Sequence, residues 1–118
     1  MGVTGIGGLF FRAKDKAALA AWYLEHLGVG GPYGMWETQA GTTVFQPFAA
    51  DSDYFPADKQ YMLNLRVDGI DELIAKLRDA GIAVTTNPEW DQPGVGRFAR
   101  IADPEGNPIE LWQPDADE

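Results

Sequence analysis

The group best placed to do chemistry in this sequence is one carboxylate, Glu110, within the run Pro108-Ile109-Glu110-Leu111-Trp112. A β-strand points alternate side chains to opposite faces, so Ile109 and Leu111 go to one side and Pro108, Glu110 and Trp112 to the other. A carboxylate so placed can bind a cationic or hydroxylated ligand, act as a base, or be an acid satisfied within the fold, because a lone buried charge is costly. Arg12 and Arg66 end strand-like runs on the equivalent side, where each could hold an anionic substrate or pair with surface acids. Gln46 and Asn64 offer neutral hydrogen-bonding groups to the same wall, and Phe10, Trp36 and Trp112 offer flat faces to a planar ligand or to the core. His26 is the sole histidine and falls late in a helix, where the C-terminal dipole favours a surface imidazole. Ser52 is the only serine and has no histidine placed to serve it, which sets serine hydrolase chemistry aside.

The elements that must position these groups come from an internal repeat. GLFFRAKDKAALAAWYLEHLG, residues 8–28, aligns with MLNLRVDGIDELIAKLRDAG, residues 62–81. Each reads as a strand, then a helix ended by glycine. The first helix opens at Asp15 as N-cap and carries Leu19, Trp22, Tyr23 and Leu27 before Gly28. The second opens at Asp68 and carries Ile70, Leu73, Ile74 and Leu77 before Gly81. Further strands are predicted near residues 34–39 and 42–48 in the first half, and near 83–86, 97–102 and 108–113 in the second. Asp103-Pro104-Glu105-Gly106 predicts a type I turn between the last two strands, and Gly41 a hairpin between 34–39 and 42–48. The predicted fold class is α+β: one domain over 1–118, with repeats at about 6–48 and 61–114 joined by a linker at 49–60. Each repeat reads βαβββ.

The chain has 118 residues, 45% hydrophobic and 23% charged, enough for one globular domain with a core. A formal charge of −9 repels phosphate backbones, so neither nucleic acid nor an anionic membrane surface is an expected partner. Without cysteine there are no disulfides, thiolate metal sites or cysteine nucleophiles, and a cytoplasmic location is expected. The glycine-rich stretches GVTGIGG, GVGG and PGVG do not follow a strand and open a helix, so they read as turns and not as phosphate loops.

The segments FFRAKD, HLG, RVDGIDELIAKLRDAG and above all the closing DPEGNPIELW resemble the vicinal oxygen chelate superfamily, over residues 6–114. That superfamily includes glyoxalases, bleomycin-binding proteins and extradiol dioxygenases. The resemblance implies two βαβββ modules whose curved mixed sheets enclose a cleft, commonly completed in a homodimer. It also implies a divalent metal held by two His and two Glu, whose positions fall here on Gly8, Gln46, Met62 and Glu110. Glycine has no donor, a thioether is a soft and weak ligand, and an amide lends only a neutral oxygen, so no metal and no other cofactor is expected. The expected function is metal-free binding of a small organic molecule in a cleft lined by Phe10, Arg12, Gln46, Met62, Asn64, Arg66, Glu110 and Trp112. The alternatives are a glyoxalase-like lyase or isomerase with Glu110 as catalytic base, and a dimeric scaffold with a vestigial pocket.

Overall fold

The computed structural model describes residues 1–115; the last three positions of the predicted 1–118 domain lie outside the described residues. The two predicted helices form at the repeat positions. Helix α1, Lys16–Leu27, starts where the Asp15 carboxylate accepts a hydrogen bond from the Ala18 N–H at 3.0 Å, and ends at Gly28 in the left-handed region, φ 67°. Helix α2, Ile70–Asp79, ends in a Schellman arrangement, with the Ile82 N–H donating to Leu77 and the Gly81 N–H to Arg78.

The start of α2 differs from expectation. Its N-cap is Gly69 at φ 59°, and the Asp68 side chain makes no capping bond. The first helical N–H, that of Ile70, instead donates to Oε1 of Gln113 at 2.8 Å, so a residue distant in sequence satisfies the helix end. Asp71 is likewise turned outward, in a two-bond pair with Arg97 at 2.8 and 3.0 Å.

Three strands form one sheet in the order β1-β3-β2: β1 Leu63–Arg66, β2 Gly96–Ala102 and β3 Pro108–Pro114. β1 runs parallel to β3, and β2 antiparallel to it. The register sorts the side chains into rows. Leu63, Ile109 and Ile101 lie abreast, as do Leu65, Leu111 and Ala99. These rows meet Leu19 and Tyr23 of α1 and Ile70, Ile74 and Leu77 of α2 in the core. Burying each large aliphatic side chain there contributes roughly 1.5–3 kcal/mol, which docks helices too short to persist alone. The intervening rows, Asn64-Glu110-Arg100 and Arg66-Trp112-Phe98, occupy the other face.

The predicted strand at 83–86 is reduced to one bridge, Thr85 with Arg100. The predicted strands at 8–12, 34–39 and 42–48 are not strands in this structure, and their residues run as irregular chain. The strand-favouring residue types that suggested them are present, but a strand is held by a ladder to a neighbour, and no neighbour lies alongside. Phe10 and Phe45 are 96% and 87% exposed in consequence. The first half is tied to the second instead by side chains. Arg66 donates from Nη2 to the Gln39 carbonyl at 2.8 Å and from Nη1 to the Thr42 carbonyl at 3.3 Å, and Phe11 packs against Tyr23 and Tyr61.

Candidate functional site

Glu110 is 7% exposed and lies at the middle of β3 on the face away from the helices. Two side chains from elsewhere in the chain hold it. Asn64, its register partner on β1, donates from Nδ2 to Oε1 at 2.8 Å, and the Tyr54 hydroxyl donates to Oε2 at 2.5 Å. Both neighbours donate, which suits an ionised, acceptor-only carboxylate. The Tyr54 phenol is itself pushed up from its ordinary value, first by burial and then by its bond to Glu110. Tyr54 comes from the predicted linker, where its ring packs with Phe48, which also meets Phe55.

Across β3 from Asn64, the third member of the row is Arg100 on β2. Its guanidinium carbon lies 4.9 Å from the Tyr54 ring centre and 5.4 Å from that of Trp90. Trp90 ends the short 3-10 turn Pro88–Trp90. One row along the same face, Phe98 and Trp112 stack with 7° between their planes, and the Trp112 indole N–H donates to the Val95 carbonyl at 2.9 Å. The result is a carboxylate and a guanidinium side by side on one sheet face, bordered by four aromatic rings. Such a surface can hold polar groups of a flat organic molecule while its rings cover the rest.

The structure therefore brings together four of the predicted site residues, Asn64, Arg66, Glu110 and Trp112, on adjacent strands of one face. Met62, just before β1, is half-buried. Phe10, Arg12 and Gln46 lie on exposed irregular chain and make no hydrogen bond to Glu110. Arg66 spends its guanidinium on the carbonyls of residues 39 and 42. Trp36, on the same irregular chain, is largely exposed. His26 sits at the edge of α1 beside Trp22 and Glu25.

Sequence reasoning missed Arg100 and Tyr54. Arg100 carried a signal, since it sits between the buried Ala99 and Ile101 near the middle of β2. Tyr54 carried none, because only the path of the linker brings it over β3.

The metal that the resemblance implies does not suit this donor set. Gly8 has no donor, Met62 offers a thioether, and both oxygens of Glu110 already accept hydrogen bonds from the chain. Among the described residues no three of His, Cys, Asp or Glu gather where one ion could be held.

A family model, the glyoxalase-like domain, matches residues 8–112. The chain belongs to the glyoxalase-like domain family. Solved structures agree with this assignment. TnmS3, an antibiotic binding protein from Streptomyces sp. CB03234, is 24% identical with a TM-score of 0.62, over 98% of this chain and 99% of that one. A glyoxalase/bleomycin resistance protein from the same organism is 29% identical, with a TM-score of 0.51 over 85% and 92% of the two chains. A member of the glyoxalase/bleomycin resistance protein/dioxygenase superfamily from Sphaerobacter thermophilus DSM 20745 shares 18% identity and a TM-score of 0.61, over 94% and 98%. No curated protein matches the chain. The glyoxalase-like domain thus has the α+β fold of the glyoxalase/bleomycin resistance proteins, and no helix among its described residues is long and apolar enough to cross a membrane.

Proposed function

We propose that this glyoxalase-like domain is a metal-free binding protein that holds a small organic molecule on the sheet face around Glu110. The observation that carries the reading is the buried Glu110 carboxylate. It is held by Asn64 and Tyr54 on a face that is not the core, beside Arg100 with the Tyr54 and Trp90 rings against it and the stacked pair Phe98 and Trp112 one row along. A protein that only needed a packed sheet would be as stable with an apolar residue there. The fold neighbour TnmS3, an antibiotic binding protein, supports the class of ligand. Binding is preferred over proton abstraction because both Glu110 oxygens are engaged by donors, whereas a general base must face its substrate.

The same reading includes a homodimer in the cytoplasm. The exposed apolar side chains of the first half, among them Phe10, Met35, Val44 and Phe45, form the kind of surface that a second copy covers. The absence of cysteine agrees with a reducing compartment.

The test is calorimetry and tryptophan fluorescence with bleomycin and a panel of other cationic or aromatic antibiotics. Saturable binding that perturbs Trp112, weakened about tenfold in Glu110→Gln, is the expected result. Binding that is indifferent to Glu110→Gln removes this face from the site, and sedimentation at the monomer mass rejects the dimer.

A further inference from the structure

The guanidinium of Arg100 is the least explained group in the molecule. Its Nε and Nη2 are fully buried and have no hydrogen-bond partner among the described residues. It makes no ion pair with its register neighbour Glu110, whose oxygens belong to Tyr54 and Asn64. Buried donors of a charged group are rarely left unpaired, because the cost of desolvation is then uncompensated.

The identity of the two atoms matters. Nε–H and the adjacent Nη2–H point the same way and together make the side-on fork of an arginine. That fork matches the two oxygens of a planar carboxylate with two parallel bonds. Glu110 and its donors therefore leave one complete, unused recognition edge beside them. Two aromatic rings lie against the guanidinium, and both come from outside the strands. Tyr54 is in the linker and Trp90 in a 3-10 turn, so neither ring belongs to the strand ladder. With Phe98 and Trp112 one row away, the surroundings favour an acid carried on a ring.

We propose that the Nε–Nη2 edge of Arg100 is the anion-recognising element of this face and takes the carboxylate of an aromatic or heteroaromatic acid between Tyr54 and Trp90. The proposal rests on the small-molecule reading above and narrows its ligand. The ligand carries an acid for Arg100 and a flat ring for the aromatic border. Because the chain as a whole is strongly acidic, long-range attraction does not bring such an acid in; recognition comes from the local fork.

The probe is benzoate, with benzamide as its neutral isostere and acetate as the acid without a ring. Binding is followed by nuclear magnetic resonance at the Arg100 Nε–H and the indole N–H groups of Trp90 and Trp112. Benzoate is expected to shift the Arg100 and Trp90 signals in a saturable way, with a dissociation constant on the order of 1 mM, as suits a fragment held by one charged fork. Benzamide and acetate are expected to bind about tenfold more weakly or worse, and Arg100→Lys, which keeps the charge and loses the fork, to weaken benzoate by about tenfold. A benzoate titration that leaves Arg100 Nε–H unmoved in the wild-type chain overturns the proposal, whether or not the variant folds. Equal affinity in a folded Arg100→Lys also overturns it. The two readings fail separately. If antibiotics perturb Trp112 while Arg100 stays silent to benzoate, the face remains a binding site and the fork is not its anion element. If no antibiotic and no acid moves Trp112 or Arg100, both fall.

Discussion

Two carboxylates among the described residues are buried, and each accepts a hydrogen bond from a tyrosine, yet they are held in different ways. Asp103, 4% exposed, receives the Tyr23 hydroxyl at 2.7 Å at the hairpin end of the sheet, while Glu110, 7% exposed, receives that of Tyr54 on the face away from the helices. Around Asp103 the remaining donors are local: the N–H groups of Glu105 and Asn107 and the Asn107 side chain, at 2.8–3.0 Å. The turn is thus wound on its own first residue. Glu105 continues the construction by accepting the N–H groups of Lys14 and Asp15, which fastens the start of α1 to the hairpin. Around Glu110 there are only two donors, both side chains, from the linker and from β1. Four donors, most of them within the same turn, make a structural joint. Two donors brought from separate segments, beside a guanidinium edge without a partner among the described residues, leave Glu110 less firmly built in, which is the basis of the binding role proposed for it. Burial and a tyrosine partner are common to both acids; the number and origin of the donors are what differ.

Asp103→Ala has the largest expected effect. It strips a buried acceptor from four donors at once and should cost about 3 kcal/mol or more in urea denaturation. A loss below about 1 kcal/mol would mean that Asp103 is no more structural than Glu110. Tyr23→Phe removes a single bond of the same joint and should cost about 1–2 kcal/mol, more than Tyr54→Phe, whose partner faces the proposed ligand site.

Alkaline pH sharpens the contrast by a different route. Burial first, and the bond to Asp103 second, push the Tyr23 phenol far above its ordinary value near 10. Its folded value is raised, so the stability it contributes is fully present below pH 10 and is lost as pH rises towards the folded value. Above pH 10 the unfolded tyrosine releases its proton and the folded one keeps it. By pH 11 a tyrosine that stays protonated accounts for about 1.4 kcal/mol of lost stability, and that part of the decline should vanish in Tyr23→Phe. Glu110→Gln is the smallest effect: less than about 1 kcal/mol on unfolding, together with the loss of ligand affinity described above. A larger cost would make Glu110 a second structural joint.

The distinction between the two acids was half written in the sequence. Asp103-Pro104-Glu105-Gly106 announces its turn, and the structure closes it with the Gly106 N–H donating to the Asp103 carbonyl at 2.9 Å. The alternation in Pro108–Trp112 placed Glu110 opposite the core, as observed. Asp68 misled because a good capping residue type says nothing of a competing acceptor, and Gln113 reached the helix end from another strand.

What local order could settle was the set of elements whose stabilising partners lie close in the chain: both helices, their glycine stops, the β2–β3 hairpin and the polarity of each strand face. These follow from dihedral preference and periodicity, which act over a few residues. Tertiary structure alone decided which segments become strands and what surrounds the acid. Residues 35–48 carry strand-favouring types such as Trp36, Thr42, Thr43, Val44 and Phe45, yet remain irregular because a ladder needs a second backbone beside it. Tyr54 and Trp90 meet Arg100 beside Glu110 because the linker, a loop and an edge strand converge in space. No periodicity records that convergence, since its energy is released only when distant parts of the chain pack together.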